Sequence, residues 1–217
     1  MNQEQSQFIK LCIANEVLIF GEFTLKSGRI SPYFFNAGKF SNGYLLGQLA
    51  THLGSLIIKE LGADLMLFGP AYKGIPIAAA TAVNISERSG EEIKYAYNRK
   101  EVKDHGEGGN LVGAPIHGNV LILDDVITAG TSVYESLEVI KVAGATLCGI
   151  VTVLDRQEKS NSASLSTAQI LRNKLNVPVL SLIKLNDLVR YIEANQSLQN
   201  HLTKMNNYRK QFGANCT

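Results

Sequence analysis

An α/β fold with a central parallel sheet flanked by helices is what the 217 residues predict, and three observations support it. Runs of branched aliphatic residues, suited to strands buried on both faces, recur at 65–68, 120–123, 147–154 and 177–182. Helix-period segments at 75–83, 131–143 and 167–175 alternate with them, the order expected when parallel strands are joined by helical crossovers. The run Val120-Leu121-Ile122-Leu123-Asp124-Asp125 then passes into a small, hydroxylated stretch before the helical pattern resumes at Thr131, so strand, loop and helix start follow in sequence.

Ahead of this core, Phe8, Leu11 and Cys12 predict a short first helix, and 21–35 alternates like two paired strands with a turn at Ser27-Gly28. Leu45, Leu49, Leu53, Leu56 and Ile57 form a stronger helical stripe that ends before Gly62, a residue suited to closing a helix. Ile93 to Tyr97 adds a strand. Residues 98–119 contain Gly106, Gly108, Gly109, Gly113 and Gly118 and have little apolar periodicity. They predict a long mobile loop, which in compact domains is usually a functional lid or a disordered connection, with strand character only at 111–116. From Asp187 onward one or two helices with a polar end are expected. The chain therefore reads as one domain, with an N-terminal segment over 1–61, an α/β core over 62–184 and C-terminal helices over 185–217.

A composition of 45% hydrophobic and 18% charged residues is ordinary for a globular protein, and a net charge of +2 without a Lys/Arg block argues against a nucleic-acid partner. The opening MNQEQSQFIK lacks the basic and apolar regions of a signal peptide, and no segment approaches about 18 uninterrupted apolar residues, so a cytoplasmic protein without membrane partners is expected. Cys12, Cys148 and Cys216 are odd in number and widely spaced, which implies neither disulfides nor zinc. Cys148 lies in a strand-like run, as a buried inert thiol would. No Gly-x-Gly-x-x-Gly follows the first core strand, so a dinucleotide-dependent oxidoreductase is excluded.

Ligands of open parallel sheets collect beyond the C-terminal ends of the strands, so loops after separate strands can converge on one site. Four such segments are chemically loaded here: Gly69-Pro70-Ala71-Tyr72-Lys73-Gly74; Arg99-Lys100 with Lys103 and His105; Asp124 to Ser132; and Asp155-Arg156. The helix start near Thr131, with the Thr128, Thr131 and Ser132 hydroxyls and Gly130, is a natural phosphate cradle. Asp124 and Asp125 would repel phosphate and suit ribose hydroxyls, a metal ion or a developing positive charge. Together the segments fit a substrate with several phosphates and a ribose.

LILDDVITAGTS resembles the signature of the type I phosphoribosyltransferases. TLKSG at 24–28, SPYFF at 31–35, GPAYKG at 69–74 and RKEVKDHG at 99–106 resemble, in order and over nearly the whole chain, bacterial orotate phosphoribosyltransferases. The resemblance implies the type I phosphoribosyltransferase fold with a small N-terminal hood. It also implies a Mg²⁺-dependent transfer of the phosphoribosyl group from 5-phosphoribosyl 1-diphosphate to orotate, giving orotidine 5'-monophosphate and diphosphate in pyrimidine synthesis. By matching motif, Asp124, Asp125, Val126, Ile127, Thr128, Ala129, Gly130, Thr131 and Ser132 hold the ribose and its 5'-phosphate. Lys26, Tyr72 and Lys73 contact the donor and its diphosphate, and orotate sits near Phe34, Phe35, Thr128 and Arg156. Arg99, Lys100, Lys103 and His105 belong to a catalytic loop that reaches the neighbouring subunit of a homodimer. Mg²⁺ is implied to be held mainly through the substrate, with Asp124 and Asp125 as the protein groups able to assist.

Elementary electrostatics fits these roles. Breaking the bond between ribose C1 and diphosphate builds positive charge on the sugar and negative charge on the leaving group, as in glycoside cleavage. Asp124 and Asp125 can face the first if both stay ionised, and Lys26, Lys73, Arg99, Lys100 and Lys103 the second. Adjacent acids on an extended segment point to opposite sides, so they are expected to have different tasks, with Asp125 stabilising the sugar cation. Blander readings exist for each residue taken singly: a solvated turn for the Asp pair, a solubilising charge run for Arg99 to Lys103, core packing for Phe34 and Phe35. His52 is expected to be structural, and His117 and His201 to lie at the surface.

Overall fold

Asn2 caps the first helix, α1 (Gln3–Ala14): its side chain accepts the Gln5 amide, and the Gln5 side chain accepts the Asn2 amide in return. This reciprocal pair satisfies donors that a helix start leaves open. The computed structural model describes residues 1–25, 28–103, 109–160 and 163–214, without the side chains of Val102 and Lys103. Phe8, Ile9 and Cys12 are the buried face of α1, and His52 meets the Phe8 ring edge-on, the structural place expected for it. Strands β1 (Leu18–Thr24) and β2 (Ile30–Phe35) pair antiparallel, Leu18 opposite Phe35 and Thr24 opposite Ile30, as the alternation over 21–35 predicts. Helix α2 (Gly43–Leu61) starts at an Asn42 side-chain cap and stops at Gly62, burying Leu45, Leu49, Leu53 and Ile57.

The core runs β3 (Met66–Gly69), α3 (Gly74–Ser89), β4 (Tyr95–Lys103), β5 (Gly109–Gly113), β6 (Asn119–Val126), α4 (Thr131–Val142), β7 (Thr146–Asp155), α5 (Thr167–Leu175) and β8 (Val179–Lys184). Helix α6 (Leu185–Ala194), a 3₁₀ turn and α7 (Leu202–Phe212) follow. The six strands lie in the order β5-β4-β3-β6-β7-β8, parallel throughout except that β5 is antiparallel to β4. Strand β6 shows why its sequence is continuously apolar: Leu121 and Leu123 pack into the layer containing Phe8, Leu49 and Leu188, while Val120 and Ile122 pack into the layer containing Val133 and Leu171. Both faces are covered, as period-two alternation in a helix-wrapped sheet requires.

The expectation of a long loop over 98–119 is corrected. Residues 98–103 complete β4, and β5 answers them with Asn98 opposite Leu111 and Lys103 opposite Gly109. Strand β4 pairs with β3 only through Tyr97, so its last residues continue past the sheet's C-terminal edge as a two-stranded arm. Past β3 the strand carries Asn98, Arg99, Lys100 and Glu101, a polar run without apolar alternation, which is why its sequence reads as loop. Among the described residues no helix is long and apolar enough to cross a membrane.

Candidate active site

The chain leaves β3 toward β4 on one side and later returns to place β6 on the other, so the carboxyl ends of β3 and β6 bound a topological switch point. Two glycines make this junction possible. A Cβ on Gly69 would lie 2.3 Å from the Gly74 carbonyl oxygen, and one on Gly74 would lie 2.9 Å from the Leu123 carbonyl oxygen. The start of α3 is thereby pressed against the end of β6, bringing the 70–73 loop to the acidic pair. Lys73 Nζ lies 2.9 Å from Asp125 Oδ2 across 52 positions of sequence.

The two carboxylates have different partners, as their places on a strand predict. Asp124 is buried and accepts hydrogen bonds from the Ser132 hydroxyl at 3.0 Å and the Asp125 amide at 2.8 Å. Burial first, and then the charge of Asp125, push the Asp124 carboxyl up to about 6. Asp125 takes Lys73 and the Val126 amide. Beyond them Gly130, at φ 81°, turns the chain into α4, which starts without a side-chain cap. Its first-turn amides are thus left for an anion, with Thr131 exposed beside them. Helix α3 also starts without a side-chain cap. The Thr128 carbonyl is anchored by the Thr167 hydroxyl at 2.7 Å, while the Thr128 and Ala129 side chains remain exposed and Val126 and Ile127 are half-buried.

The arm joins the same region. Asn98 accepts the Ala71 amide at 2.9 Å, tying the 70–73 loop to β4, and Lys100 Nζ lies 5.1 Å from the centroid of the exposed Tyr72 ring. Arg99 is half-buried on the same strand. Lys103 ends β4 with its side chain outside the described atoms, and Lys26 and His105 lie outside the described residues. Arg156, just past β7, is gathered to β2 and α7 instead. Its Nε donates to Glu158 at 2.7 Å, its Nη2 to Ser31 and Tyr208, and its Cζ sits 4.5 Å over the Tyr33 ring. Burial would push the Arg156 guanidinium down, but Tyr33, Glu158 and Tyr208 outweigh it and hold the group above its ordinary range. Phe35 is buried in the core, whereas Phe34 points to the other face of β2, partly exposed and against Phe23.

The structure thus brings Lys73, Asp124, Asp125 and the 126–132 loop together, with Tyr72 and Lys100 adjoining, and holds Arg156 beside β2. Sequence reasoning missed Asn98, Thr167, Glu158 and Tyr208. Asn98 sits next to the basic run, and Glu158 two residues beyond Arg156, but only the fold reveals what they touch.

The strand-loop-helix turn with paired acids at the switch point lies within residues 44–179, which match the phosphoribosyl transferase domain family, so the chain is a phosphoribosyltransferase. The orotate phosphoribosyltransferase of Proteus mirabilis is 52% identical over 218 residues, covering 99% of this chain and 100% of that one. That of Cronobacter sakazakii is 49% identical over 214 residues, covering 98% and 100%. The crystal structure of the Francisella tularensis orotate phosphoribosyltransferase superposes with a TM-score of 0.85 at 42% identity, covering 95% of this chain and 99% of that one. The chain belongs to the orotate phosphoribosyltransferase family and is a pentosyltransferase.

Proposed function

We propose that the chain transfers the phosphoribosyl group of 5-phosphoribosyl 1-diphosphate to orotate with Mg²⁺, yielding orotidine 5'-monophosphate and diphosphate in the cytoplasmic synthesis of UMP. The observation that carries this reading is the opposed charge at the switch point, Lys73 against Asp125 at 2.9 Å, beside an uncapped helix start. In the reaction the C1–oxygen bond to diphosphate breaks, the bond from C1 to the orotate ring nitrogen forms, and that nitrogen gives up its proton. The amides and hydroxyls of 126–132 bind the 5'-phosphate. Asp124 and Asp125 face the ribose, with Asp125 opposing the positive charge that grows on the sugar. Lys73 exchanges Asp125 for the diphosphate, joined there by Lys26, Tyr72, Arg99, Lys100, Lys103 and His105. Orotate lies between the β2 segment at Phe34-Phe35, Thr128 and Arg156, whose planar fork suits a carboxylate.

Among the described residues no group of three or more His, Cys, Asp or Glu could hold a metal ion. The adjacent carboxylates of Asp124 and Asp125 do fit an ion that takes most of its oxygens from substrate and water, as Mg²⁺ does. When bound, Mg²⁺ supplies neutralising charge for the diphosphate. Closing the arm over the sugar would exclude water from a cation that water would otherwise hydrolyse. In the homodimer we propose, the arm of one subunit covers the site of the other. Mixing protein, Mg²⁺, orotate and phosphoribosyl diphosphate should deplete the orotate absorbance. Folded protein that leaves it unchanged beside an active control would defeat the proposal.

A further inference from the structure

We propose that Glu158 and Tyr208 are positioning residues for substrate: they lock the Arg156 guanidinium so that its Nη1 edge is presented to an anionic base. The inference rests on the reading that Arg156 meets the orotate carboxylate. Glu158 Oε1 accepts from Nε at 2.7 Å and lies 2.7 Å from Nη2, so the anion sits on one edge of the fork. Nη2 is also directed to the Ser31 hydroxyl at 3.2 Å and the Tyr208 hydroxyl at 3.3 Å.

Both hydroxyls have their protons committed elsewhere. Ser31 donates to the Tyr33 carbonyl at 2.7 Å, and Tyr208 donates to Glu158 Oε1 at 2.7 Å. Each therefore turns a lone pair toward Nη2, and neither can reverse without breaking a shorter bond. The Tyr33 ring under Cζ fixes the plane. Rotation and tilt of the guanidinium are both set, while Nη1 has no partner among the described residues. A group held this way loses little freedom on binding, which is how preorganisation raises affinity.

Two further observations agree. Glu158 is itself held from the far side by Arg29 at 3.3 Å, so it cannot follow Arg156 away. Ser31, Tyr33 and Tyr208 lie outside the matched domain at 44–179, so most of the clamp comes from segments added to the common core. That is where selectivity for one base over another would be expected to reside.

The test is steady-state kinetics of the full chain, with the thermal midpoint of each variant alongside. Tyr208→Phe, which removes one oxygen, and Glu158→Gln should each raise the orotate KM about three- to tenfold and leave the phosphoribosyl diphosphate KM within about twofold, since each loosens Arg156 by about one ordinary hydrogen bond without removing it. In an Arg156→Ala background, adding Glu158→Gln should cost nothing more. If Arg156→Ala raises the orotate KM while both positioning variants leave it unchanged, the base-site reading stands and the positioning role is refuted. If Arg156→Ala itself leaves the orotate KM unchanged, the base-site reading fails and takes the positioning role with it. A parallel rise of both KM values with a lowered midpoint would mark a scaffold role and overturn the proposal. Should Glu158→Gln fail to fold, Tyr208→Phe alone decides.

Discussion

Asp124 and Asp125 are neighbours in sequence with different surroundings, and the difference predicts a pH response. Asp124 is pushed up to about 6 from an ordinary 3.8, chiefly by burial, so the folded state favours its protonated form. The stability it contributes is present at low pH and is lost as pH rises from about 4 through 6. If catalysis needs the anion, activity runs the other way: kcat/KM for phosphoribosyl diphosphate should fall as pH drops through about 6, and Asp124→Asn should abolish that inflection. A profile flat between pH 5 and 7 would contradict it. Asp125→Asn and Lys103→Ala should each lower turnover roughly a hundred- to a thousandfold at saturating substrate, the usual loss for a well-placed electrostatic group. Near-wild-type turnover in both would remove the assigned roles. The acids and Lys73 were legible in the sequence because each adjoins a strand end. Glu158 and Tyr208 were not, because 50 positions separate them and no local pattern records a hydrogen bond across that distance.

At the scale of elements, legibility followed burial. Strands β3, β6, β7 and β8 were recognisable because packing on both faces requires unbroken apolar runs, and their bounds moved by only a few residues between expectation and structure. The strands of the arm were hidden because β4 runs past β3 there and carries Asn98, Arg99, Lys100 and Glu101, a polar run with no apolar period. Helix α5 offers a test of capping near the site: Ser166 accepts the Gln169 amide, the Gln169 side chain accepts the Ser166 amide, and Thr167 holds the Thr128 carbonyl. Ser166→Ala should lower stability by about 1 kcal/mol in urea unfolding. Gly74→Ala should cost more, about 1–3 kcal/mol, because the added methyl meets the rigid Pro70 ring and the backbones of Gly69 and Leu123 rather than the end of a flexible side chain. Equal midpoints for the two variants would argue against the close approach.

For the whole molecule, the parallel core and the pairing of β1 with β2 were readable from the apolar pattern, whereas the place of α7 against β2 emerges only from the fold. Sharing of the arm between subunits, as proposed, makes activity a property of the pair. Mixing Lys103→Ala chains with Asp125→Asn chains should restore part of the lost turnover, since one kind of site then receives both intact residues. Verified heterodimers that remain inactive would disprove sharing. The arm is also unequal. Six residues of β4 lie beyond its last partner on β3, but β5 answers them with only Leu111, Asn110 and Gly109, and the pairing shifts between Asn98 and Lys103. The surplus on β4 bends its strand and increases its twist, so the arm reaches about 7 Å past Asn98 and no further. Removing surplus residues from β4 alone would therefore re-aim the basic side chains of the arm in this protein while leaving its length, which β5 sets, unchanged.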